Sequence, residues 1–187
     1  RNELLDIGGE GIFIEGNDPG TINNIGNLTI VNPLTTAVTL RDDSSTSSVT
    51  SVATSSQSFG ITKSTGNAAI GISGGSPDFS FFGTISNTTS TSPNGPIIGI
   101  EGVSNATISI GGPGLDPLRD NSDGVLIGSV GGAGAVVNST INIDGLLLTR
   151  SGVQMADVGS TTTFSNLNIE VTDTITPAFV ASNGGTI

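Results

Sequence analysis

The apolar residues of this chain fall into short alternating triplets that return at nearly even intervals. They read Ile12-Phe13-Ile14, Val38-Thr39-Leu40, Ile70-Gly71-Ile72, Ile98-Gly99-Ile100, Val125-Leu126-Ile127, Val153-Gln154-Met155 and Ala178-Phe179-Val180. Their first positions lie 26, 32, 28, 27, 28 and 25 residues apart, a repeat of roughly 28 residues. In an extended strand the first and third side chains share a face and the second points away. The outer positions are Ile, Val, Leu, Met or Ala, with Val180 closing the last triplet, whereas the middle ones admit Phe, Thr, Gly, Leu and Gln. The pattern predicts one short strand per turn of a solenoid, buried on one face and less constrained on the other.

A second strand is predicted in most turns. Asn27-Leu28-Thr29-Ile30, Gly145-Leu146-Leu147-Leu148 and Asn166-Leu167-Asn168-Ile169 align without a gap, and Asn105-Ala106-Thr107-Ile108 fits with a smaller first apolar residue. Asn and Gly lead these segments because both tolerate left-handed backbone angles, which marks a corner between two strands. The interval from the first strand to this corner runs from 7 to 20 residues. Loops of different length therefore leave the coil on one side while the strands keep register. Residues 43–66 are the least regular, because two Ser-rich runs interrupt the pattern. They read as a long loop within a single domain covering 1–187, or else as a break between two stacked sections.

Short strands, Asn/Gly corners and a period of this length resemble the right-handed parallel β-helix proteins, above all bacterial surface proteins and autotransporter passengers. Ser139-Thr140-Ile141-Asn142-Ile143-Asp144-Gly145-Leu146-Leu147-Leu148 and Thr107-Ile108-Ser109-Ile110-Gly111-Gly112-Pro113-Gly114 carry the resemblance. It implies an all-β parallel β-helix of about seven coils. One coil alone cannot bury its inward Ile, Val and Leu, so stability has to come from stacking rungs about 4.8 Å apart. Neither Leu4-Leu5-Asp6-Ile7-Gly8-Gly9 nor Asn183-Gly184-Gly185-Thr186-Ile187 reads as an amphipathic capping helix. The expectation is part of a longer solenoid, or a rod whose ends are covered by partners, including copies of itself stacked end to end. Arg1 in place of Met, without a signal peptide, suggests a processed product or an excised fragment.

Composition sharpens this picture. Gly, Ser, Thr and Asn make up about half of the 187 residues and charged residues only 11%, less than half the share usual in soluble domains. A net charge of −11 repels nucleic-acid phosphates and anionic lipid surfaces. The chain has no His and no Cys. Histidine general-base chemistry, a Ser-His-Asp triad, thiol catalysis and standard structural zinc sites are thereby excluded. No apolar run approaches the roughly 18 residues of a membrane span. A cysteine-free chain rich in hydroxyl side chains fits an exported or surface protein of prokaryotic origin.

Few residues suggest chemistry. Gly111-Gly112-Pro113-Gly114-Leu115-Asp116-Pro117-Leu118-Arg119 matches the nine-residue calcium repeat G-G-x-G-x-D-x-U-x of RTX-type β-rolls. Asp116, Asp120 and Asp123 would then offer oxygen ligands to calcium. The match occurs once, whereas those sites form between successive copies, and Pro117 departs from the usual residue. The competing reading is a Gly-Pro turn followed by a solvated acidic loop, with no cofactor.

Glu15 and Glu101 share one position after the first strand, with Arg41 and Ser73 between them. Three rungs place them about 14 Å apart, beyond the roughly 5 to 9.5 Å of paired-carboxylate glycoside hydrolysis. Asp157, Glu170 and Asp173 lie in neighbouring turns and could approach one another, with Arg150 the one basic residue nearby in sequence for a lyase base; the competing reading is solvated surface acids. Trp and Tyr are absent, and Phe13 and Phe179 are expected to face outward, a meagre platform for sugar rings. Sequons begin at Asn27, Asn87, Asn105 and Asn138, as expected by chance in such a composition. The function expected is a non-enzymatic extracellular structural or adhesive rod, stacking on itself or binding a cell-surface or glycan ligand. The alternative is a carbohydrate-active β-helix, a polysaccharide lyase or hydrolase, with a cleft between residues 101 and 139.

Overall fold

The computed structural model describes residues 2–5, 9–26, 28–31, 35–50, 60–63, 68–87, 96–111, 124–128, 134–145, 147–148, 152–156, 158–170 and 178–182. These residues form an all-β parallel solenoid with no helix among them. Hence no helix is long and apolar enough to cross a membrane. The first face is a seven-stranded sheet that stacks Ile12–Glu15, Val38–Arg41, Ile70–Ser73, Ile98–Glu101, Val125–Ile127, Val153–Ala156 and Phe179–Ser182 in chain order. The second is six-stranded: Ile22–Gly26, Thr46–Thr50, Asp78–Phe82, Thr107–Ile110, Val136–Asp144 and Val158–Ser165. Asn2–Leu5, Leu28–Val31, Gly60–Lys63 and Thr84–Asn87 build a four-stranded third face. Leu147–Leu148 and Asn168–Ile169 pair at the corresponding place later in the chain.

The alternating triplets set the register of the first face. Ile12, Val38, Ile70, Ile98, Val125 and Val153 lie opposite one another in successive strands, and Ile14, Leu40, Ile72, Ile100, Ile127 and Met155 form a second inward column. From Val38 to Met155 both columns are almost wholly excluded from solvent. The second face adds Phe79, Ile108 and Ile141 in one column and Val49, Phe81, Ile110 and Ile143 in the next. Branched aliphatic side chains suit this arrangement, since each packs on the like residue one rung away on a pleated surface. At about 4.8 Å per rung the seven strands extend about 30 Å along the axis.

The last rung differs from the triplet expected there. Val153 lies opposite Phe179 rather than Ala178, so the final interval is 26 residues. Phe179 therefore belongs to the inward column. Its ring packs edge-on against Phe164 of the second face, with centroids 6.0 Å apart. The tripeptide Ala178-Phe179-Val180 is apolar throughout, so its alternation could not fix which residue pointed inward; the ring contact does.

The corners also separate into two kinds. Gly145 and Asn166 have positive φ (74° and 53°) and stand one rung apart, before the short pair Leu147–Leu148 and Asn168–Ile169. Asn105 also has positive φ, 54°, but it opens the second face, one rung from Asn138 at 48°. Grouping Asn105 with Gly145 and Asn166 thus merges two corners, which look alike because each needs a left-handed residue followed by an apolar alternation. Asn27 lies outside the described residues.

The irregular section 43–66 contains two strands in register, Thr46–Thr50 on the second face and Gly60–Lys63 on the third. Ser47 occupies the inward place that Phe79 takes in the next rung, which is why hydropathy gave no strand signal there.

Candidate functional site

Two arrangements of side chains stand apart from the regular packing, one inside the coil and one outside. Inside, Asp43, Ser45 and Ser47 are buried beside Asn23 of the preceding rung. The Ser45 hydroxyl lies 2.7 and 2.8 Å from the two Asp43 carboxylate oxygens, and Ser47 Oγ reaches Asp43 Oδ2 at 3.4 Å. Asn23 Nδ2 donates towards Ser45 Oγ at 3.2 Å and Ser47 Oγ at 3.4 Å. The donors run in one sense: amide to hydroxyls, hydroxyls to carboxylate. Enclosing the carboxylate is tolerable because the hydroxyls donate to it. Hydropathy reasoning missed this cluster; the signal available was the alternation Asp43-x-Ser45-x-Ser47 with the period of a strand.

Outside, the middle residues of the triplets make the surface of the first face. Phe13 is 45% exposed, and the Arg41 guanidinium carbon lies 5.2 Å from its ring centroid. Arg41 Nη1 also reaches Glu15 Oε1 at 3.4 Å, both side chains being half exposed. Glu15, Arg41, Ser73 and Glu101 are aligned rung to rung as the sequence spacing required. Three rungs therefore separate the two glutamates, and Arg41 takes the first of them.

Beyond Arg41 the surface sinks into a groove of about 290 Å³. Gly71 and Gly99, opposite one another in adjacent strands, form its floor. Thr39 and Leu126, one rung beyond on either side, close its ends. One long wall contains Thr36 and Pro96, and the other contains Ser73 and Glu101. Glu101 is exposed and makes no ion pair among the described residues. At the Thr39 end, Oγ1 is buried without a hydrogen-bond partner. The floor exists because neither glycine carries a side chain; the repeated Ile-Gly-Ile triplets were the visible signal.

The remaining candidates are placed as follows. Asp116, Asp120 and Asp123 lie outside the described residues, as do Asp157, Asp173 and Arg150. Glu170 is exposed. Among the described residues no group of three or more acidic side chains is arranged to hold a metal ion. Asn105 and Asn138 are exposed corner residues in adjacent rungs. No family model, curated protein or solved structure matches the chain.

Proposed function

We propose that the chain is a non-enzymatic extracellular rod of the prokaryotic surface, structural or adhesive in role and able to stack on copies of itself. The observation that carries this reading is the uninterrupted register of the first face, where seven strands align on continuous apolar columns. Such a scaffold holds surface residues at a fixed repeat and leaves the connecting segments free to vary. Two further features support it. The sequence lacks the His and Cys on which most nucleophilic and general-base sites depend. Among the described residues, Ile12–Glu15 and Phe179–Ser182 each pair on one side only, which leaves backbone donors and acceptors suited to a further strand.

Electron microscopy of the purified protein across a concentration series, together with binding to cells and polymers, tests the reading. Rods that lengthen with concentration indicate a filament subunit, because a head-to-tail contact that does not close generates fibres. Monomeric particles that bind a surface indicate an adhesive module. A protein that stays monomeric at every concentration and binds no cell, polymer or partner chain overturns the proposal.

A further inference from the structure

The groove over Gly71 and Gly99 is open because two adjacent rungs carry no side chain there. Glycine weakens a strand interior and is kept there for a bulge, a tight bend or the close approach of another group. Neither residue has positive φ, and their strands pair without a register shift on both sides. Nor does close packing demand them. A Cβ at 71 would lie 3.3 Å from the Thr36 methyl, and one at 99 would lie 3.4 Å from Pro96 Cγ, contacts that a small adjustment absorbs. Two successive rungs thus omit a side chain that the backbone would accept, and the space left is enclosed at both ends by Thr39 and Leu126.

We propose that the Gly71–Gly99 groove seats one neutral sugar ring of a glycan, with Glu101 and Ser73 receiving and exchanging hydrogen bonds along one wall. This rests on the adhesive reading above and names its ligand. The volume is at the lower limit of small-molecule pockets, which suits a single ring. The floor is the face of a sheet whose backbone groups are already paired in the ladder, so a peptide finds no strand edge to extend. What the rim offers is hydroxyls and one carboxylate, a set that matches a ligand able both to donate and to accept. The bare peptide planes and Leu126 accept the C–H face of a ring. At one end of the groove the Thr39 hydroxyl is buried without a hydrogen-bond partner, a polar group left to be satisfied. Uronic acids and sulfated sugars are disfavoured by Glu101 and by the net charge of −11.

The test is binding of the whole chain to a printed array of neutral and acidic glycans, followed by calorimetry with the strongest neutral binder. Wild type is expected to bind neutral glycans. Gly99→Val, which fills the floor with a residue suited to a strand, is expected to weaken binding at least tenfold with the melting temperature unchanged or raised. Glu101→Gln is expected to weaken it severalfold, and Glu15→Gln, in the same column outside the groove, to leave it unchanged. Absence of neutral binders, equal binding of acidic polymers, or full binding by a folded Gly99→Val protein overturns the inference. If assembly or cell binding persists in that case, the groove assignment alone falls; if those are absent too, the rod reading falls with it.

Discussion

Asp42 and Gly74 stand in successive rungs at the corner that follows the first face, both in the left-handed region, with φ of 47° and 69°. The Asp42 carboxylate occupies the space that a side chain at 74 would need. Gly16 and Gly102 continue the same column, each directly after its strand. Gly74→Ala is expected to destabilise by about 2 kcal/mol or more, since left-handed backbone alone costs an ordinary residue roughly 1–2 kcal/mol. Adding Asp42→Gly should recover the part due to the clash. Denaturant unfolding of the two single variants and the double variant measures the coupling.

The buried hydroxyls around Asp43 lead to a second expectation. Asp43→Ala strands the donors of Ser45 and Ser47 and should cost about 1–3 kcal/mol. Removing all three polar groups together, as Asp43→Ala with Ser45→Ala and Ser47→Ala, should cost less than the separate losses added together. Thermal melts of wild type, the three single variants and the triple variant decide this; strict additivity would show that the cluster does not act as a unit.

Position along the rod should grade the cost of truncating the core. Ile98 is fully buried between Ile70 and Val125, whereas Ile12 is only partly buried and has a neighbour on one side among the described residues. Ile98→Ala should lose about 2–5 kcal/mol. Ile12→Ala should lose less than about 2 kcal/mol for the smaller burial. Equal losses would show that the rungs are not separately weighted.

Arg41 touches both Glu15 and Phe13, yet its side chain is half exposed. Arg41→Ala should change stability by less than about 1 kcal/mol, and the difference should shrink in molar salt. Unfolding curves at low and high ionic strength are sufficient to check it.

The RTX-like segment leads to an expectation about metal. If its acids only solvate a loop, chelation leaves the melting temperature unchanged. A fall on chelation, reversed by calcium and lost in Asp116→Asn, would instead identify a bound ion, because a ligand held only by the folded chain raises its stability.

Much of the architecture was legible because the inward columns are aliphatic and their spacing is steady. Ile70, Ile98 and Val125 announce their strands without help from neighbours. Thr46–Thr50 did not, because Ser47 faces inward and finds its partners in Asp43 and Asn23, a relation invisible until the coil closes. The inward place of Phe179 is hidden for the opposite reason: in an all-apolar tripeptide hydropathy cannot choose between faces, and its contact with Phe164 comes from a strand earlier in the chain. The groove was half visible. The Ile-Gly-Ile triplets showed two missing side chains, but their enclosure by Thr36, Pro96 and Leu126 depends on residues that only stacking brings together.

Stacked parallel strands give the rod a direction of mechanical weakness. Its inter-strand hydrogen bonds point along the axis, whereas the covalent chain runs around the circumference. Tension along the axis is therefore borne by the non-covalent bonds between rungs. Each coil released hands over roughly 28 residues, which at about 3.3 Å apiece is near 90 Å of slack. A chain of this kind yields to load in steps, lengthening manyfold before any covalent bond is strained.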